Sequence, residues 1–295
     1  MEEHKYTEIA PGIWGLKIVF VNIYMVTTGP EEWVLVDGGV RGSACRIKKM
    51  AADLFGEDNP PAAIVLTHGH FDHIGALHEL LKTWKVQVYA HQQEIPYLTG
   101  HTSYPPADPS VGGGLMSAMS FMYPNSPINL GTHVHALAKN GTLPHMPDWQ
   151  YIHTPGHTPG HISLFRGRDK VLLAGDAFVT TQAESAFNVL TNKKQLSGPP
   201  KYFTPNWVSA ALSVRKLKDL RPAVAATGHG PTMQGEELAS ALEHLVEHFA
   251  EIAIPKHGRY VNDGKYSGLS KTVLGAVVVL SAALAFTVVR GLKNR

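Results

Sequence analysis

Residues 62–77, AAIVLTHGHFDHIGAL, join an apolar, strand-like run to a dense cluster of metal-binding side chains. The run up to Thr67 is short and β-branched, as in a buried strand. It ends in His68, His70, Asp72 and His73, after which the apolar spacing turns helical. The i, i+2 spacing of His68 and His70 lets both imidazoles point to one side of an extended turn, and Gly69 permits close backbone approach. Imidazoles with a carboxylate are borderline and hard donors that suit zinc, with manganese or iron also open.

One such cluster cannot complete two metal shells, so other parts of the chain must contribute. YIHTPGHTPGHISLF (151–165) carries His153, His157 and His161, and its prolines 155 and 159 argue against a helical face. LLAGDAF (172–178) holds Asp176 and ATGHGPT (226–232) holds His229, each beside glycine at the end of an apolar run. Around these motifs the chain reads as one alternating α/β domain. Strands are expected at 17–26, 33–36, 63–67, 86–90 and 171–174, and helices at 44–55, 75–82, 207–220 and 236–252. In such scaffolds chemistry sits on the loops after strand ends. Residues 100–147 are rich in Pro and Gly and read as a long irregular insertion, a lid or pocket loop.

The motifs LVDGG, THGHFDH, TPGHTPGH, AGDAF and TGHG occur in family order over about residues 10 to 235. On them the chain resembles the metallo-β-lactamase superfamily of binuclear metallohydrolases, in the glyoxalase II and lactonase-like branch. The resemblance implies an α/β fold, an αββα sandwich with the metals at one edge of two packed sheets. It puts His68, His70 and His157 on one metal, Asp72, His73 and His229 on the other, and Asp176 across both. Two divalent ions, zinc first, would then lower the pKa of a shared water and supply a bridging hydroxide near neutral pH. That hydroxide would cleave an ester, thioester or lactone in a small-molecule substrate, with Asp72 as catalytic residue passing a proton or orienting the nucleophile. His153 and His161 are expected to hydrogen-bond rather than ligate, Asp37 to fix a turn or support a ligand, and Cys45 to be a small apolar residue.

Departures narrow the branch. His70 stands where flavin-linked diiron oxygen reductases of the superfamily carry Glu, and Asp176 sets the chain apart from true β-lactamases. The segment after Ala177 is too short for the glutathione-binding domain of glyoxalase II. A different reaction class, a mononuclear iron persulfide dioxygenase using His68, His157 and Asp176, is the alternative. A binding module on a dead scaffold would have lost a ligand position, and all seven are present.

Composition sets outer bounds. With 44% apolar and 17% charged residues the chain can bury its own core, and a net charge of +2 offers no basic stripe for nucleic acid. One cysteine excludes an internal disulfide and a Cys-rich zinc site. The start, MEEHKYTEIAPGIW, predicts no secretory leader. The end differs: residues 272–289, TVLGAVVVLSAALAFTVV, carry no charge and lie between basic residues. As a helix this run would be roughly 27 Å long, near the roughly 30 Å hydrocarbon core of a bilayer. The expected organisation is therefore a catalytic domain at 1–257, a linker at 258–271, a transmembrane helix at 272–290 and a basic tail at 291–295. That order implies a membrane-anchored protein whose catalytic domain is cytoplasmic.

Overall fold

The computed structural model describes residues 6–261. Its first sheet is built from β1 (Thr7–Ala10), β2 (Ile13–Ile18), β3 (Val21–Thr27), β4 (Trp33–Val36), β5 (Ala63–Val65), β6 (Val88–Ala90) and β7 (Val134–Ala136), in that spatial order. The first four strands are antiparallel neighbours and β4 to β7 run parallel. The second sheet comprises β8 (Trp149–His153), β9 (Ile162–Arg166), β10 (Val171–Gly175), β11 (Val224–Thr227) and β12 (Met233–Gln234), with β10 and β11 parallel.

Strand β4 shows how the layers form. Successive side chains point to opposite faces. Trp33 and Leu35 pack toward Ala44, Ile47 and Met50 of helix α1 (Ala44–Phe55). Val34 and Val36 instead join Ile162, Leu164, Val171 and Leu173 of the second sheet. Neither face meets water, which is why the strand reads as a continuous apolar run. Helices α2 (Phe71–Ile74) and α3 (Leu77–Thr83) follow the His-rich turn, with Leu77 and Leu80 in the same layer as α1. Next come the short α4 (Ile95–Leu98), α5 (Leu115–Ala118) and α6 (Ala186–Thr191). Two longer helices, α7 (Trp207–Asp219) and α8 (Gly235–Glu247), pack on each other, α8 lies against β11 and β12, and α9 (Phe249–Ile252) ends the series. The result is the expected αββα sandwich.

Two local expectations change. Residues 17–26 are not one strand, because the chain reverses at Val19 and Phe20 between β2 and β3. Val19 takes φ 58°, a left-handed conformation that a β-branched residue rarely adopts, so the sequence carries no turn signal there. The Pro/Gly-rich insertion contains α5 and the edge strand β7, whose three residues are too few to show a period.

The membrane part of the expected fold is corrected. No helix among the described residues is long and apolar enough to cross a membrane. The longest, α7 and α8, have 13 residues each and span about 20 Å, short of a roughly 30 Å core. Both also bury only one side. The expected transmembrane helix at 272–290 lies outside the described residues. The membrane-anchored, cytoplasmic placement that rested on it therefore has no support. At the other end of that expectation, the Arg259 N–H donates to the Asp108 carboxylate and the Tyr260 hydroxyl to the Pro106 carbonyl.

Candidate metal centre

The seven candidate ligands come from four segments that follow β5, β8, β10 and β11, with Asp72 and His73 on the short α2 and the others on loops. Backbone bonds knit these loops where the two sheets meet. The Ile162 N–H donates to the Thr67 carbonyl at 2.9 Å, the Gly228 N–H to Gly175 at 2.9 Å, and the Asn22 N–H to Gly228 at 2.7 Å. Glycine is required in this crossing: a Cβ on Gly228 would lie 2.0 Å from Asp176 Oδ1.

All seven side chains are buried and fall into overlapping groups that can each hold an ion: His68, His70 and His157; His68, His73 and Asp176; Asp72, His73 and His229. His70 Nδ1 lies 2.9 Å from His157 Nε2. Asp176 Oδ2 lies 3.1 Å from His229 Nε2, 3.5 Å from His157 Nε2 and 3.7 Å from His73 Nε2. Asp72 Oδ2 is 3.5 Å from His229 Nε2.

The outer nitrogen of four rings is occupied, which turns the other nitrogen inward. Nδ1 of His68 meets the Thr67 hydroxyl at 3.0 Å, and Nδ1 of His73 meets Asp37 at 2.8 Å. Nδ1 of His157 meets the Thr204 hydroxyl at 3.2 Å, and Nδ1 of His229 meets the Phe20 carbonyl at 2.8 Å. Three buried atoms of the cluster, His68 Nε2, His73 Nε2 and Asp176 Oδ1, have no hydrogen-bond partner. Such orphaned buried atoms are costly in a protein interior, and their convergence fits a cation site.

The electrostatics divide the cluster. Burial drives His68 and His157 well below the ordinary histidine value and His70 down to about 3, which favours neutral rings. Burial also opposes charge on His73 and His229. The carboxylates of Asp37, Asp176 and Asp72 around His73, and of Asp176 and Asp72 around His229, override it and raise both. Burial works against ionisation of Asp176, yet His229 and His73 hold it well below the usual carboxylate range. Burial raises Asp72 despite the same two histidines.

His153 and His161 stay outside. His161 Nε2 accepts from the Asp176 N–H at 2.8 Å while Nδ1 meets Thr154, so the ring aims the loop that carries Asp176. His153 stacks on His91 with centroids 4.1 Å apart. Cys45 is exposed rather than packed in the apolar layer. A narrow cleft lies above the cluster, walled by Phe20, Phe71, Met116, Tyr123, Tyr202 and Phe203. Sequence reasoning missed Thr204, Tyr104 and Glu94, which touch the ligands or their loops; Glu94 follows the polar His91, Gln92 and Gln93 and has no local signal of its own.

A family model described as "Metallo-beta-lactamase superfamily" matches residues 16–229. The chain belongs to the metallo-β-lactamase superfamily. Among curated relatives of this superfamily chain, the Bacillus subtilis (strain 168) protein named "Probable metallo-hydrolase YflN" is 45% identical over 247 residues, 83% of this chain and 94% of that protein. "Hydroxyacylglutathione hydrolase GloC" of Haemophilus influenzae is 30% identical over 155 residues, 52% of this chain and 65% of its own length. Among solved structures, the BLEG-1 B3 metallo-β-lactamase aligns with a TM-score of 0.55 at 25% identity, covering 75% of this chain and 93% of that one. Superfamily membership and the His/Asp clusters support a metal-dependent hydrolase acting on a small molecule.

Proposed function

We propose that the chain is a two-metal hydrolase that cleaves an ester, thioester or lactone whose acyl or alcohol part is apolar. The observation that carries this reading is Asp176 Oδ2, 3.5 Å from an imidazole of one ligand group and 3.1 Å from an imidazole of the other. A single carboxylate then serves both groups. His68, His70 and His157 would hold one ion, Asp72, His73 and His229 the second, with Asp176 between them. Zinc suits this nitrogen and oxygen donor set, and iron and manganese are the alternatives. Bound there, two divalent ions supply Lewis acidity and a water-derived nucleophile near neutral pH.

The chain's own residues do the rest. Asp72 lines the cleft and is the group we assign to orient the attacking water and carry a proton to the leaving oxygen or sulfur. Phe20, Phe71, Phe203 and Met116 exclude bulk water, and Tyr123 closes the same wall. Beyond the cleft the apolar surface continues. Leu115, Phe121 and Met122 of the insertion are exposed, as are Phe187 and Leu190 of α6. The Met116 N–H donates to the Glu184 carbonyl, which joins the two segments just before α6. This apolar border supports an acyl chain rather than a small, fully polar substrate.

The single-iron oxygenase reading leaves Asp72, His73 and His229 without a use, although they form a complete buried group. The test combines metal analysis of the purified chain with a panel of p-nitrophenyl esters, thioesters, lactones and phosphodiesters. Two ions per chain and turnover of carboxylic esters or lactones are expected. A single iron with oxygen consumption, or turnover of phosphodiesters alone, would overturn the reading.

A further inference from the structure

Glu94 is fully buried at the start of α4 and has no cationic partner among the described residues. Its carboxylate instead accepts from four donors on three segments. Oε1 takes the Thr158 hydroxyl at 2.8 Å and the Gly160 N–H at 2.7 Å. Oε2 takes the Gly69 N–H at 3.0 Å and the Tyr104 hydroxyl. Gly69 lies between His68 and His70, and Thr158 follows His157 directly. One side chain thus spans the two loops that carry the three imidazoles of the first group.

Two glycines are shaped around this arrangement. A Cβ on Gly160 would stand 2.8 Å from Glu94 Oε1, and a Cβ on Gly69 would stand 2.6 Å from the Tyr104 hydroxyl oxygen. The Tyr104 ring also stacks on Tyr97 at 3.9 Å and packs against His70 at 4.6 Å. The glycines inside both histidine motifs therefore make room for this carboxylate and its tyrosine.

We propose that Glu94 is a positioning residue for the ion held by His68, His70 and His157: through Gly69, Thr158 and Gly160 it fixes the spacing of the loops that present those rings. The proposal rests on the two-metal reading above. A Gln at this position has the same shape, but whichever way its amide turns, the NH₂ faces one of the two backbone N–H donors. A loop then loses its acceptor and the rings lose their register.

The test uses the full chain loaded with zinc. Ions are removed with graded chelator and counted per chain, and absorption spectra are recorded after cobalt substitution. For Glu94→Gln one ion is expected to leave at roughly 10- to 100-fold lower chelator strength, with a changed cobalt spectrum, while the other ion is held as in wild type. Thr158→Ala and Tyr104→Phe, which each remove one donor, should shift the same ion in the same direction by less; they decide the matter if the Gln variant does not fold. Equal weakening of both ions would mark a general structural role and overturn the proposal. So would two ions held as tightly as in wild type. A wild-type chain that binds no ion defeats the two-metal reading and this proposal together, whereas a normal wild type with an unaffected variant defeats this proposal alone.

Discussion

Asp37 Oδ2 lies 2.8 Å from Nδ1 of His73, and the same carboxylate accepts the Thr67 N–H and hydroxyl, each at 2.8 Å. One side chain therefore orients a candidate ligand and the strand end from which the His-rich loop departs. The His73 Nδ1–H donates outward, and Nε2 is left unpaired toward the cluster.

Asp37→Asn should weaken the ion at His73 by roughly 10- to 100-fold, because the ring loses a charged acceptor that fixes its tautomer. Asp37 has φ 65°, which asparagine adopts readily, so the backbone should stay in place. Chelator competition beside a circular dichroism spectrum checks both halves. Unchanged affinity would remove the orienting role.

Asp72→Asn should lower turnover roughly 10²- to 10⁴-fold, the range for loss of a proton-transferring group. The ion at His68, His70 and His157 should remain. Steady-state rates measured alongside metal content separate the two effects. Full turnover with both ions bound would strip Asp72 of its chemical role.

Gly156→Ala should destabilise the fold by about 1–3 kcal/mol through overpacking. Gly156 has φ 137°, and an added Cβ would stand 2.4 Å from the Ala210 backbone nitrogen in α7. The strain falls one residue before His157, so metal affinity should drop with stability. Urea unfolding of the loaded chain reads the first effect and chelator competition the second.

His91, half-buried against His153, is held down to about 4, first by burial and then by its neighbour's charge. A histidine whose folded value lies below its ordinary 6.5 resists protonation only when folded. The unfolded chain therefore binds more protons between those two values, and stability contributed by this group is present above pH 6.5 and lost as pH falls toward 4. His91→Phe keeps a ring for stacking and removes the titration. The melting temperature of the variant should fall less steeply than that of wild type across this window; parallel curves would show that His91 does not contribute.

Much of the candidate site was legible because its donors sit in short motifs at strand ends. His68, His70, Asp72 and His73 follow one strand directly, and their types announce metal chemistry before any fold is known. The helix at Ala44–Phe55 was equally legible, since its apolar spacing is local. The reversal at Val19 was not, because no residue there favours a turn. Nor was Glu94, since its partners lie 10 to 66 residues ahead or behind and share no pattern with it.

The sequence by itself determined the donor chemistry, the alternating α/β character and the family, all of which depend on residue types in local order. The tertiary structure decided which atoms meet. His70 and His157 are 87 positions apart, and their nitrogens come within 2.9 Å only because β5 and β9 are bonded through Thr67 and Ile162 across the sandwich. The same packing turns His161 onto the Asp176 backbone and leaves His157 free for the cluster. Spacing along the chain does not distinguish those two histidines; the hydrogen bonds available to each ring in the folded chain do.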